Sequence, residues 1–282
     1  MERLSTEVSR LVEVDLPSTP VVIEKLHALM ADGDVGSRLV AKIVETDPPF
    51  VAKLLKLVNS PFYGCRRRIA SVEEAITILG FNTVHQLLLA TSLMSTVGTG
   101  HQAVDVNDFW QHSFGVGVIA KHLLPRVDRD IQSEALVCGI LHDIGRLVLA
   151  RNDPEAFASF YYKRKQVTDL EEEAGFFGID HQKLGEILAR KWNFPESILT
   201  TIANHHTPQD ASEKFRRLVS TVNIADMLCH ALRIGDSGNF FVAQFHPDAW
   251  QALEMGMGEL ETALRGALKE IEQAGEMLGV LG

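Results

Sequence analysis

Apolar residues recur along most of the chain at steps of three and four, the spacing that lines one face of a helix. Val22, Leu26 and Leu29 follow Pro20, and Leu39, Ile43 and Val44 follow Ser37. Val51, Leu54, Leu55 and Val58 follow Asp47-Pro48-Pro49. Each run predicts a short helix, and a further amphipathic one is expected over residues 2–13. The boundary residues agree. Pro20 suits a first helical position with Ser18 or Thr19 as cap. Ser71-Val72-Glu73-Glu74 is a capping box, and Gly80 stops the helix it opens. Asn82 caps another, carrying Val84, Leu87, Leu88 and Met94, while Asn59 to Gly64 read as a turn. His27 and His85 are isolated on these helices and read as surface or half-buried residues.

The second half has the same period. From Asp108 a helix carries Phe109, Phe114, Val116, Ile119 and Leu123, and another runs from about Ser133 to His142-Asp143. Helices carrying Phe157, Phe160 and Tyr161, then Leu184, Ile187 and Leu188, then Ile198, Leu199 and Ile202 start at Pro154, Asp180 and Pro195. Asp169-Leu170-Glu171-Glu172 is a cap-like acidic start, and a last helix of this half spans Phe215 to Leu232. Strand-type alternation is scarce, so the predicted class is all-α. Val97-Gly98-Thr99-Gly100 marks a loop. It divides an N-terminal helical lobe (1–97) from a C-terminal helical bundle (98–235), with a helical extension over 236–282. In that extension Leu253, Met257, Leu260, Leu264, Ala267, Ile271, Ala274 and Leu278 form a coiled-coil-type seam. It suits either a terminal helix packed on its own core or a contact between two copies or with a signalling partner.

Composition narrows the classes. A chain of 282 residues with 46% hydrophobic and 23% charged residues has the balance of a folded globular protein. Its net charge of −10 disfavours nucleic acid as a partner, and the basic cluster Arg66-Arg67-Arg68 is read as a solvated loop. Cys65, Cys138 and Cys229 are too few and too far apart for a disulfide framework or a thiolate metal site. No stretch is apolar enough to cross a membrane, and the amino-terminal residues carry acids, so the cytoplasm is expected.

The candidate chemistry lies in the second half. His142-Asp143 sits within the apolar run Gly139-Ile140-Leu141-His142-Asp143-Ile144-Gly145-Arg146. Burying an imidazole beside a carboxylate is costly without a partner, either a divalent metal or a hydrogen bond to backbone. His112, His181, His205, His206 and Asp226 fall on other predicted helices, and Asp108 lies one turn before His112. Imidazoles and carboxylates without thiolate suit zinc, iron or manganese, and facing helices of a bundle can bring such groups together. They can equally be core polar groups that satisfy one another.

The order His…His-Asp…His…His-His…Asp resembles the HD superfamily of metal-dependent phosphohydrolases. The chain is more narrowly similar to HDOD domains. The resemblance is carried by Leu16-Pro17-Ser18-Thr19-Pro20, Asp47-Pro48, the run Leu57 to Gly64, and Ala75-Ile76-Thr77-Ile78-Leu79-Gly80. It continues through Phe109-Trp110-Gln111-His112-Ser113, Gly139 to Gly145, Asp180 to Gly185, and His205-His206-Thr207-Pro208, and covers roughly residues 14–232. It implies an HD-like bundle in a bacterial signalling or regulatory module, mostly non-catalytic, with a signalling protein as partner and a phosphate or nucleotide as a further ligand. It also implies one or two divalent ions. His112, His142, Asp143 and Asp226 would surround one, His181, His205 and His206 the second, with Asp143 bridging and Asp108 as a further acidic ligand. The alternative it implies is a metal-dependent phosphohydrolase or phosphodiesterase of a nucleotide or cyclic dinucleotide. Asp143 and Arg146 would then be catalytic. The related HD-GYP phosphodiesterases of cyclic di-GMP have Lys where Arg146 stands, and a Gly-Tyr-Pro segment where this chain has Thr207-Pro208-Gln209-Asp210-Ala211-Ser212.

Overall fold

Every regular element among the described residues is a helix, and none of those residues forms a strand. The computed structural model describes residues 20–31, 37–59, 65, 67–81, 83–88, 92, 104–124, 129–162, 170–238 and 246–278. The helix expected over 2–13, the caps Ser18, Thr19, Asn82 and Asp169, the turn residues 60–64, Arg66, Met94 and the boundary loop 97–100 lie outside them.

The N-terminal helices are α1 (Val21–Ala31), α2 (Ser37–Val44), α3 (Pro48–Val58) and α4 (Val72–Leu79), with 83–88 also helical. The periodic positions Val22, Leu26, Val44, Leu54 and Val58 are buried, as their spacing predicts. Ser71 caps α4, its Oγ accepting from the Glu74 amide at 3.2 Å. Asn59 ties the end of α3 to the chain that follows. Its amide donates to the carbonyls of Leu55 (2.7 Å) and Ile69 (2.8 Å) and accepts from the Ile69 N–H (2.7 Å). Arg67, from the basic cluster, is exposed and ion-paired with Glu74. His85 is a correction: it is buried and stacked on Phe81, with ring centroids 5.9 Å apart. The side chain of His27 lies outside the described residues.

The helices that follow form a bundle of α5 (Val106–Leu123), α6 (Arg129–Leu141), α7 (Ile144–Asn152), α8 (Pro154–Phe157), α9 (Leu170–Phe177), α10 (His181–Lys191), α11 (Glu196–Asn204) and α12 (Glu213–Leu232). A π turn over Ala158–Tyr162 continues α8. Two starts differ from the pattern-based reading. α6 begins at Arg129, and α5 begins at Val106 because Asp105, not Asp108, is its cap. The Asp105 carboxylate accepts from the amides of Asn107 (2.9 Å) and Asp108 (3.2 Å).

Two glycine contacts fix how these helices cross. A Cβ added to Gly139 would lie 2.5 Å from the Cα of Gly117, so the backbones of α5 and α6 touch. A Cβ on Gly145 would lie 1.9 Å from the His181 carbonyl oxygen, so α7 presses equally closely on the start of α10. Any larger residue would force the helices apart.

The C-terminal extension forms two helices, not one continuous seam. α13 (Pro247–Leu253) ends where Glu254 takes a left-handed conformation (φ 52), and α14 (Met257–Leu278) starts afresh. Leu260, Ala263, Leu264, Ala267 and Ile271 of α14 pack onto the core, while Met257 is 71% exposed. Much of the described apolar face of α14 is thus covered by its own chain, with Leu268 exposed as well. Its polar anchor is Glu270, which accepts from the buried Lys121 ammonium (2.6 Å) and meets Nε2 of His122 (2.9 Å) on α5.

Candidate metal centre

His142 and Asp143 form the two-residue turn between α6 and α7. Asp143 stands at the cap position of α7, yet its side chain makes no capping bond and points instead into the bundle. The Gly117–Gly139 contact brings α5 close enough for His112 to face His142, with ring centroids 5.6 Å apart. The Gly145 contact brings in His181, the first residue of α10. His205 and His206 occupy the turn that ends α11, and Asp226 lies on the inner face of α12.

Seven of the eight expected ligands come together. The donor atoms of His112, His142 and Asp226 lie within 4.8 Å of one another, and so do those of Asp143, His181, His205 and His206. Asp143 joins the halves. Its Oδ2 is 3.4 Å from His142 Nε2, and its Oδ1 is 3.4 Å from His181 Nε2 and 3.3 Å from His205 Nε2. Asp226 Oδ1 is 3.0 Å from His112 Nε2 and 3.6 Å from His142 Nε2. Asp108 is the exception. It sits in the exposed first turn of α5, outside both groups, and contributes only its backbone carbonyl, which accepts from the Asp236 N–H at 3.1 Å. One helical turn from His112 carries it past the buried end of the helix.

Hydrogen bonding fixes which ring nitrogens face inward. His142 Nδ1–H donates to the Gly139 carbonyl (2.7 Å), and His205 Nδ1–H donates to the Ile202 carbonyl (3.0 Å). His181 Nδ1–H donates to Glu173 Oε2 (2.7 Å). Each of these rings therefore turns Nε2 toward the carboxylates. The Nε2 atoms of His181 and His205 face each other at 3.2 Å. His142 Nε2 and both carboxylate oxygens of Asp143 are buried without a hydrogen-bond partner. Imidazole nitrogens and carboxylate oxygens converging in a buried space need positive charge among them, which protons or a metal ion can supply. Two donors about 2.1 Å from one ion lie about 3.0–3.5 Å apart, which is the range of nearly all the spacings above. The residues present therefore fit divalent metal.

Arg146 completes the interior. It is buried, and its Nη1 lies 2.9 Å from Asp143 Oδ2 and donates to Ser237 Oγ at 2.8 Å. Its guanidinium carbon lies 5.6 Å from the centre of the Tyr161 ring, and Nη2 is 3.5 Å from His206 Nε2. Burial opposes the charge on Asp143, yet Arg146 and His142 outweigh it and hold the carboxyl well below its usual range. Burial also opposes the charge of His142, but Asp143 and Asp226 overcome it and lift its pKa to about 10. His181 and His206 are instead pushed well down, by burial first.

Residues 16–208 match the family model of the HDOD domain. This chain belongs to the HDOD family. An HDOD domain protein of unknown function from Geobacter sulfurreducens has the same fold, with 27% identity, 98% of each chain covered and a TM-score of 0.77. A candidate phosphohydrolase of Shewanella amazonensis SB2B shares the fold at 24% identity, covering 97% of this chain and 98% of its own, with a TM-score of 0.71. An uncharacterized protein of Treponema pallidum (strain Nichols) is 26% identical over 227 residues. That alignment takes in 76% of this chain but only 42% of the relative, so the chain spans less than half of that protein's length.

The HDOD match stops before α12, so Asp226 lies beyond it. Three site residues escaped the sequence reading. Glu173 is buried, and besides holding His181 it accepts from the Tyr161 hydroxyl (2.5 Å) and the His181 amide (2.9 Å). Ser237 reaches Arg146 from the loop after α12. His230 lies one turn beyond Asp226 on α12. Of these, only the i, i+4 spacing of Asp226 and His230 was a usable signal in the sequence.

Proposed function

We propose that this HDOD chain is a bacterial regulatory module that holds one or two divalent ions in a buried centre and acts through a protein partner rather than by turnover. The supporting observation is enclosure. His112, His142, Asp143, His181 and Asp226 are each at most 3% exposed, and Arg146, the cation beside Asp143, is committed to Asp143 and Ser237. His112, His142 and Asp226 form one subsite, and His181, His205 and His206 the other, with Asp143 between them. Iron, manganese and zinc suit these donors. The ions add rigidity by tying α5, α6, α10, α11 and α12 to one point. That gives a partner a defined surface to read. A cytoplasmic location accords with a chain in which no described helix is long and apolar enough to cross a membrane. Met257 and Leu268 remain exposed on α14 for a contact with a partner or a second copy.

A second reading, a metal-dependent phosphohydrolase of a nucleotide or other phosphodiester, is favoured by one observation: Asp143 offers an oxygen to each subsite. Paired divalent ions supply Lewis acidity and an acidified water. In that reading Arg146 leaves Ser237 to neutralise the phosphate and Asp143 holds the metals in register.

Elemental analysis of tag-free protein purified without chelator separates the outcomes. One to two equivalents, lost in His142→Ala and Asp143→Ala, are expected. No metal after incubation with iron, manganese or zinc removes both readings. Turnover of nucleotide or dinucleotide phosphodiesters by loaded protein, lost in Asp143→Ala, replaces the first reading with the second.

A further inference from the structure

His230 has no part in the ligand sets above. It stands in the last turns of α12, four residues after Asp226 and on the same face. Its Nε2 lies 3.2 Å from Asp226 Oδ1, and its side chain is 6% exposed. Its ring tilts over that of His112, with centroids 4.5 Å apart. One carboxylate oxygen thus collects three imidazole nitrogens, with His112 at 3.0 Å and His142 at 3.6 Å. A single carboxylate oxygen has two lone pairs and cannot serve three ring nitrogens well. A cation among them can.

The two halves of the centre also differ in donor number. The half around His205 has four residues whose donor atoms converge, while the half around His112 has three. Asp108, the residue expected to fill the gap, stays in the exposed first turn of α5. His230 approaches the same half from the opposite helix. The chain just beyond it then folds back on α5. Arg233 takes a left-handed conformation (φ 56), and a Cβ on Gly235 would meet the His112 amide nitrogen at 2.3 Å. That return holds the end of α12, and His230 with it, against His112.

We propose that His230 is a fourth protein ligand of the His112 subsite, giving it three imidazoles and one carboxylate. This rests on the metal-centre reading above. The donor set is nitrogen-rich, so it selects zinc or ferrous iron over magnesium or calcium, which prefer oxygen.

The test uses the full-length tag-free chain, stripped of metal and titrated with Co2+, with bound metal and the visible absorption of the cobalt read together. Wild type, His230→Ala and His230→Gln are compared, and circular dichroism checks that each folds. Two equivalents are expected in wild type. In His230→Ala one equivalent should weaken by at least about 100-fold, a larger loss than outer-shell changes give. The cobalt spectrum should change for that equivalent alone. His230→Gln keeps an N–H donor for Asp226, so a hydrogen-bonding role predicts full rescue with an unchanged spectrum, and that result overturns the proposal. Two equivalents with wild-type affinity in His230→Ala overturn it as well, and leave the metal centre standing. A wild-type chain that takes up no cobalt overturns the centre and the proposal together.

Discussion

Two polar clusters among the described residues, one part-buried and one fully buried, are built on opposite terms. At the contact between α14 and α5, the carboxylate of Glu270 meets a Lys121 ammonium and a His122 ring. Acceptor faces donor, and opposite charges pair at 2.6 Å. At the candidate centre, Nε2 faces Nε2 and several imidazole nitrogens crowd the same carboxylate oxygens. The first cluster is complete as it stands. The second is complete only with added positive charge. Arg146 supplies one such charge, to one oxygen of Asp143. Polar burial alone therefore does not mark a functional site, whereas mismatched polar burial does.

Metal should divide the two clusters most sharply. Asp143→Ala is expected to abolish uptake at both subsites, measured as metal per chain, because the carboxylate serves both. Glu270→Ala should leave uptake unchanged. Next in size is stabilisation by ligand. Free metal at 100 times its Kd should raise the unfolding free energy of wild type by about 2.7 kcal/mol per site, read as a rise in Tm. The same rise is expected in Glu270→Ala and none in Asp143→Ala. An equal rise in Asp143→Ala would mean that the metal binds elsewhere.

The contact of α14 is expected to show smaller effects. Glu270→Ala removes a carboxylate partner of the buried Lys121 ammonium and should cost about 2 kcal/mol by denaturant unfolding. That is below the roughly 3–5 kcal/mol of a fully buried pair, because Glu270 keeps 19% exposure. The smallest effect is in pH. Burial pushes the Glu270 carboxyl up, but His122 and Lys121 outweigh it and its pKa falls below the usual 4.5. A lowered carboxyl pKa stabilises the fold above the unfolded value, and that stabilisation is lost as pH falls through the folded one. The Tm gap between wild type and Glu270→Gln should therefore narrow as pH drops below about 4.5. A gap that widens in acid would show that Glu270 is not held as a carboxylate.

Much of this arrangement was legible in the sequence, for reasons particular residues make plain. The helices and the caps Ser71 and Asp180 follow from local spacing and hydrogen bonding, which neighbours along the chain determine. The order of His and Asp identified seven residues that do converge. Asp108 misled because shared helical face was taken for shared depth. A residue one turn nearer a helix end can lie on the right face and still be outside the core. Glu173 and Ser237 were not readable, whereas Arg146 stands three residues after Asp143, a spacing at which side chains meet. The roles of Glu173 and Ser237 arise from contacts across α7, α9 and the loop after α12, and no local rule connects those segments. The seam in the extension was right about which side of α14 is apolar and blind to the break at Glu254.

The touching backbones at Gly117 and Gly139 set a tolerance. Between most packed helices lies a layer of side chains that can rotate, swell or be recut by mutation, and the gap drifts with it. Here that layer is missing. The separation of His112 from His142 is gauged by atoms that every amino acid carries, and so it resists both heat and sequence drift elsewhere in the core. A centre suited to gripping an ion to within a few tenths of an ångström is mounted on joints with nothing soft in them, here and where Gly145 meets the start of α10.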